Sequence, residues 1–215
     1  GTTTAATFSG ANVTLAGTLT TAAGGIATAS LADGAVTLAK TTGLVGLQSI
    51  WVPAAAMSPT VTNGCSNLTV VETTAGRPDM VVLDFDSSSD EHAQFNIAFP
   101  KAWNGGTVTF QYFWTSTASD TGTTYFQLQG VAASDNTTID VAYGTGQLCS
   151  DSAQGAAEEL YVSPVSSAIT IAGSPGDNEL VFFQLFRDVS QDAMEEDCRV
   201  LGIKIFYTTD ALNDA

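Results

Sequence analysis

The chain has 215 residues, 44% of them hydrophobic and only 13% charged, so its solubility rests on Thr, Ser, Asn and Gln more than on ionised side chains. With 22 acidic against 6 basic residues the formal charge is -16, which repels phosphate backbones and anionic membrane surfaces and argues against nucleic acid as a partner. The longest uncharged stretch, residues 1 to 32, is interrupted throughout by Gly, Thr and Ser, so no membrane insertion is expected.

The opening stretch, GTTTAATFSGANVTLAGTLTTAAGGIATASLADGAVTLAKTTG, holds one aromatic residue, Phe8, and two charges, Asp33 and Lys40. All the Trp, all the Tyr and every other Phe lie beyond residue 50, which divides the chain into a low-complexity segment, 1–49, and a domain with its own core, 50–215. Residues 1–49 cannot bury a core alone, but small side chains let several backbones approach closely. The segment is therefore expected to be an extended stalk that forms on trimerisation, with an unstructured linker as the alternative. Its contacts would be Val13, Leu15 and Leu19, which alternate in NVTLAGTLT, and Leu31, Ala35 and Leu38, which stand at helical spacing in SLADGAVTLAKTTGL. Ser30 or Asp33 would cap a turn there, or Asp33-Gly34 would close a hairpin.

From residue 50 the period is two. DMVVLDFD sets Val81, Leu83 and Phe85 against Val82, Asp84 and Asp86; AQFNIAFP aligns Phe95, Ile97 and Phe99; TVTFQYFWT aligns Val108, Phe110, Tyr112 and Trp114; GIKIFYTT aligns Ile203, Ile205 and Tyr207. SIWVPAAAM, LTVVET, TYFQLQGVAA, TTIDVAY, SAITIAG and ELVFFQLFRDV complete the strands, the last apolar on both faces as though lying between a core and a second protein surface. Turn clusters such as NGCSN, AGRPD, WNGG and GSPGDN separate them. About ten short strands joined this way predict an all-β antiparallel sandwich of jelly-roll type. GQLCSDSAQGAAEELYV and DVSQDAMEEDC are each expected to form a short helix or an ordered loop, the second capped by Ser190.

Catalytic patterns are sparse. His92 is the single histidine and no Gly-x-Ser-x-Gly elbow occurs, so no enzyme activity is expected. YGTGQLCS lacks the Lys and the third glycine of a phosphate-binding loop, and no cofactor is expected. Cys65, Cys149 and Cys198 lack metal-site spacing, with reduced thiols slightly favoured over one disulfide. Asp84, Asp86, Asp90 and Glu91 gather oxygen ligands in DFDSSSDE and are the weak metal candidates, but a solvated loop is the simpler reading. Trp114 reads as core. Trp103, in KAWNGG, reads either as core or as an exposed aromatic wall for a sugar.

SLADGAVTLAKTTGL resembles the Asp-Gly-aliphatic-Thr-x-x-Lys segments of fibre proteins from tailed bacteriophages. The stretches IWVPAAAMSP, FNIAFPKAWNGGTVTFQYFWT and GIKIFYTTDALNDA are similar to phage structural proteins. The resemblance implies a homotrimeric virion fibre or capsid decoration, exposed on the virion surface. Its N-terminal segment would dock on other capsid or tail proteins, and its β-sandwich head would face solvent. The alternative it implies is an adhesin head that recognises a host surface polysaccharide.

Overall fold

The computed structural model describes residues 45–212. The predicted stalk positions Val13, Leu15, Leu19, Leu31, Ala35 and Leu38 lie outside the described residues.

Eleven strands follow one another: β1 (Gly46–Pro53), β2 (Ser58–Pro59), β3 (Thr69–Glu72), β4 (Asp79–Phe85), β5 (Glu91–Ala98), β6 (Thr109–Ser116), β7 (Thr123–Ala133), β8 (Gln147–Ser152), β9 (Tyr161–Val162), β10 (Leu180–Arg187) and β11 (Cys198–Thr209). The only helical turn among the described residues is a short 3-10 piece, Ala54–Ala56. One sheet runs β3-β4-β11-β6-β9 with β1 also on β11, and the other runs β2-β5-β10-β7-β8. All strand pairings are antiparallel. The eight strands from β4 to β11, ordered β4-β11-β6-β9 over β5-β10-β7-β8, wind as a jelly roll, as the spacing of strands and turns predicted. The strand β1 begins at Gly46, so the sandwich takes in residues 46–49, which composition groups with the preceding segment.

Alternation drives the assembly. Leu83, Phe85, Phe110, Tyr112, Trp114, Phe126, Leu128, Phe183, Leu185, Ile203 and Ile205 are wholly buried between the sheets. Tyr112 packs 4.8 Å from Phe126, and Trp114 packs 4.8 Å from Tyr161. Each such ring contributes about 1.5–3 kcal/mol of burial. Their polar tips find partners: the Trp114 Nε1–H donates to Asp151 Oδ2 at 2.9 Å and the Tyr112 hydroxyl to the Thr124 carbonyl at 3.2 Å.

One buried cation joins the sheets. Arg187, at the end of β10, is wholly buried and donates from Nε to Asp192 Oδ2 at 2.7 Å. Its Nη1 reaches the carbonyls of Phe85 at 2.9 Å and Glu196 at 3.0 Å, and its Nη2 reaches that of Met194 at 3.2 Å. The segment 188–197 wraps this guanidinium as an ordered loop. Within it Asp188, not Ser190, is the capping acceptor: its Oδ1 takes the Ser190 amide at 3.2 Å.

Two expected strands are absent as such. TTIDVAY forms no strand, and Ile139 and Val141 are exposed. The nearby edge of β7 is already taken, since the Gly130 carbonyl accepts from both Gly144 and Ala172 at 3.1 Å. SAITIAG makes only isolated bridges, Val108 with Ile169 and Val131 with Ala172. Conversely, QLCSDS, inside the stretch with helix formers, is β8 paired to β7. Helix cannot follow it, because Gly155 and Glu158 take φ of 98° and 61°.

Candidate functional site

The outer face of the β2-β5-β10-β7-β8 sheet gathers amides into a line. Ala93, Phe95 and Ile97, then Val181, Phe183 and Leu185, then Phe126 and Leu128 point to the core, so the alternate positions point outward. Antiparallel register sets Ser58 beside Gln94, Gln94 beside Gln184, and Gln184 beside Gln129. The Gln129 Nε2 donates to Gln184 Oε1 at 2.7 Å. A parallel row carries His92, Phe186, Gln127 and Leu148, and a third carries Asn96, Phe182 and Val131. His92 and Phe186 stack with centroids 5.0 Å apart, and the His92 Nδ1 lies 3.1 Å from the Asn63 carbonyl.

None of the outward strand positions on this face is Asp, Glu, Lys or Arg. Over its upper part the loop 134–146 forms a wall. A cleft of about 290 Å³ lies between Gln94, Val131 and Phe182 on the strands and Ile139, Asp140, Val141 and Tyr143 on the loop. An adjoining hollow of about 330 Å³ shares Ile139 and Phe182 and is closed by Ser134 to Thr137, Asn178 and Leu180. Ser134 donates to Glu179, which also holds the Gly176 amide at 2.8 Å, so the loop's base is tied down. The Tyr143 phenol is a donor at neutral pH, and burial raises it above its ordinary range. An array of amides and one phenol beside aromatic rings offers paired donors and acceptors to neighbouring hydroxyls and apolar faces to C–H groups.

Trp103 stands elsewhere, at the end of the sandwich. Its residue is 7% exposed and its ring packs 4.3 Å from that of Phe99, so it presents no open aromatic wall. It lines a cleft of about 260 Å³ with Lys101, Asn104, Pro175, Asp177 and Asp210, while its Nε1 is buried with no hydrogen-bond partner among the described residues. Trp114 is core, as read.

The acidic candidates are each engaged in structural duties. Asp84 pairs with Arg199 at 3.2 Å, Asp86 accepts the Ser88 amide at 2.6 Å, and Asp90 accepts the Val189 amide at 3.0 Å. Burial raises the Asp84 carboxyl against the pull of Arg199, whereas hydrogen bonds from Ser88 lower that of Asp86. The Glu91 carboxylate accepts the Asp86 amide at 2.8 Å. Among the described residues no group of three or more His, Cys, Asp or Glu is placed to hold a metal ion. The three cysteines are free thiols and buried, with the Cys65 thiol pushed up to about 12 by burial.

Sequence reasoning missed the amide row. Its signal was a glutamine at an outward position in each of AQFNIAFP, TYFQLQGVAA and ELVFFQLFRDV, but only the pairing register makes a line of them.

No protein-family model matches the sequence, and no curated protein does. Among solved structures, the chain is similar to a carbohydrate-binding module, CBM28, described as specific for non-crystalline cellulose, at 13% identity and a TM-score of 0.42 over 69% of this chain and 85% of that one. It is also similar to the family 11 carbohydrate-binding module of Clostridium thermocellum, at 11% identity and 0.40 over 79% and 98%. A third is the CBM36-1 domain of a xylanase from the hindgut metagenome of Trinervitermes trinervoides, at 11% identity and 0.38 over 74% and 96%. At these values the likeness is coarse, and what those modules bind is said of them alone.

Proposed function

We propose that the sandwich is a non-catalytic glycan-recognition head of adhesin type and that the amide face is its binding surface. The carrying observation is the in-register row Gln94–Gln184–Gln129, flanked by rings, on a face whose strand positions bear no charge in a chain of net charge -16. Amides satisfy hydroxyls in both senses, as donor and as acceptor, without the desolvation cost of an ion. The absence of catalysis is part of the proposal, supported by the structural engagement of Asp84, Asp86, Asp90 and Glu91.

The test is a glycan array probed with the full chain and with Gln184→Ala. The wild type should bind at least one glycan, and the variant should bind it about tenfold more weakly, as loss of about 1.4 kcal/mol requires, with an unchanged melting temperature. Binding indifferent to Gln184, or none at all, would overturn the assignment.

The setting we propose for such a head is a trimeric fibre or decoration on a phage particle, carried outward by the segment that precedes β1. Its support is the resemblance of SLADGAVTLAKTTGL to phage fibres and the partition of charge, with one acidic and one basic residue before position 50 and all the net charge after it. Deleting residues 1–30 should leave a head that no longer incorporates into particles.

A further inference from the structure

Along the central strand β10 the chemistry changes at each outward step, Leu180, Phe182, Gln184 and Phe186 in turn, while β5 and β7 each set two amides in succession, Gln94 with Asn96 and Gln127 with Gln129. Across the strands the middle row alone is polar throughout and carries three adjacent amides, since Ser58, Gln94, Gln184 and Gln129 stand side by side. Strands lie about 4.8 Å apart, so this polar row spans about 14 Å, and the rows carrying Phe186 and Phe182 flank it at about 7 Å on either side. A ligand in the row meets amides beneath it and aromatic edges on both sides, whereas one laid along β10 meets a single amide.

Charge narrows the ligand further. The described lysines and arginines are Arg77, Lys101, Arg187, Arg199 and Lys204, and none is at an outward strand position of this sheet, where His92, stacked on Phe186, is the one ionisable nitrogen base among the described residues. The loop beside it contributes Asp140 and Asp135 to the two hollows. A carboxylate or sulfate on a sugar would lose water here, gain no lysine or arginine partner, and meet the field of a chain with net charge -16.

We infer that the ligand is an uncharged polysaccharide whose chain lies across the strands along Ser58, Gln94, Gln184 and Gln129, and that the face rejects uronic and sulfated chains. This rests on the glycan-binding reading of the same face. One sugar cannot cover the row, so affinity rises with oligosaccharide length until the row is filled. Salt leaves the binding unaltered, because no ion pair contributes to it.

Affinity electrophoresis of the full chain in matched pairs of polymers tests this: hydroxyethyl cellulose against carboxymethyl cellulose, and dextran against dextran sulfate, with galactomannan as a further neutral chain. At least one neutral polymer should retard the protein, equally at low salt and at about 0.5 M NaCl. Its charged counterpart should bind at least about tenfold more weakly, a difference of about 1.4 kcal/mol. Gln94→Ala and Gln129→Ala, at separate places in the row, should each weaken retardation several-fold, while Ser150→Ala, outward on β8 but off the row, should not. Equal retardation by a charged counterpart, still sensitive to Gln184→Ala, would sink the neutral class and leave the face as the site. Sensitivity to Ser150→Ala but not to Gln94→Ala would sink the direction alone. Retardation by none of the polymers, or retardation untouched by every amide variant, would remove both this inference and the reading beneath it.

Discussion

The two sheets both carry outward rings but differ in charge at their solvent faces, from the same inner pattern. On the β2-β5-β10-β7-β8 sheet the outward row is Gln94, Gln184 and Gln129. On the β3-β4-β11-β6-β9 sheet and its added strand β1, the outward positions hold rings and cations. There Trp51, 48% exposed, meets Phe113 edge-on at 5.0 Å, the Lys204 Nζ lies 5.4 Å from the centroid of Phe206, and Arg199 pairs with Asp84. Both sheets need an apolar residue at every second position to close the core, and neither core constrains what stands between. Function in a sandwich is therefore carried by the half of each strand that folding leaves free.

The comparison is broken most severely through Arg187, which reaches from β10 to the Phe85 carbonyl on the opposite sheet. Asp192→Ala leaves that buried guanidinium without its carboxylate and should cost about 3–5 kcal/mol in chemical denaturation, with binding lost in proportion to unfolding. A smaller loss in the double variant Arg187→Met, Asp192→Leu than in the single one would show that the unpaired charge, not the lost volume, is responsible.

A one-sided perturbation comes next. A Cβ at Gly202 would lie 2.6 Å from the Trp51 ring and 2.6 Å from the Val52 carbonyl oxygen. Gly202→Ala should push β1 off the bulge in β11 at a cost of about 1–3 kcal/mol and alter Trp51 fluorescence. Glycan retardation measured on the folded fraction should stay unchanged, since the amide row lies on the other sheet; a matching loss of binding would show the two faces to be coupled.

The smallest effect concerns charge. Arg199→Gln removes the partner of a half-buried Asp84 and should cost less than about 1 kcal/mol at pH 7. Because burial already raises the Asp84 carboxyl in the folded state, folding takes up a proton more readily than the unfolded chain. Its stabilising contribution is greatest in acid and is lost as pH rises through the folded value. Without Arg199 that value rises further, so the variant's deficit should shrink as pH falls from 7 to about 4, read by calorimetry. A deficit that grows in acid would contradict the burial account.

What could be read from the sequence was the part dictated by the core. FNIAFP and TVTFQYFWT declare their inner residues because a sandwich fails without them, and the order of turns and strands was enough for a jelly roll. QLCSDS was not legible as a strand, since only Cys149 on it is buried and its place depends on pairing with β7. Trp103 was visible as an aromatic residue near a turn, but its burial follows from Phe99, which stacks on it after the chain doubles back. The amide row was hidden for a related reason. Gln94, Gln129 and Gln184 belong to three strands distant in sequence, and nothing local tells one that the others will stand beside it.

The strand β11 is shared by β1, β4 and β6, and its pairing sets Gly46 beside Thr209. During synthesis the first strand of the sandwich therefore waits for its neighbour until the last has left the ribosome. Until then β4 and β6 have no central partner and their edges stand open to other nascent chains. Such long-range closure makes for slow folding and a dependence on holding factors while translation proceeds. A stalled or truncated product lacking residues 198–209 would be a sheet without its middle, and aggregation or degradation would be its expected fate rather than partial function.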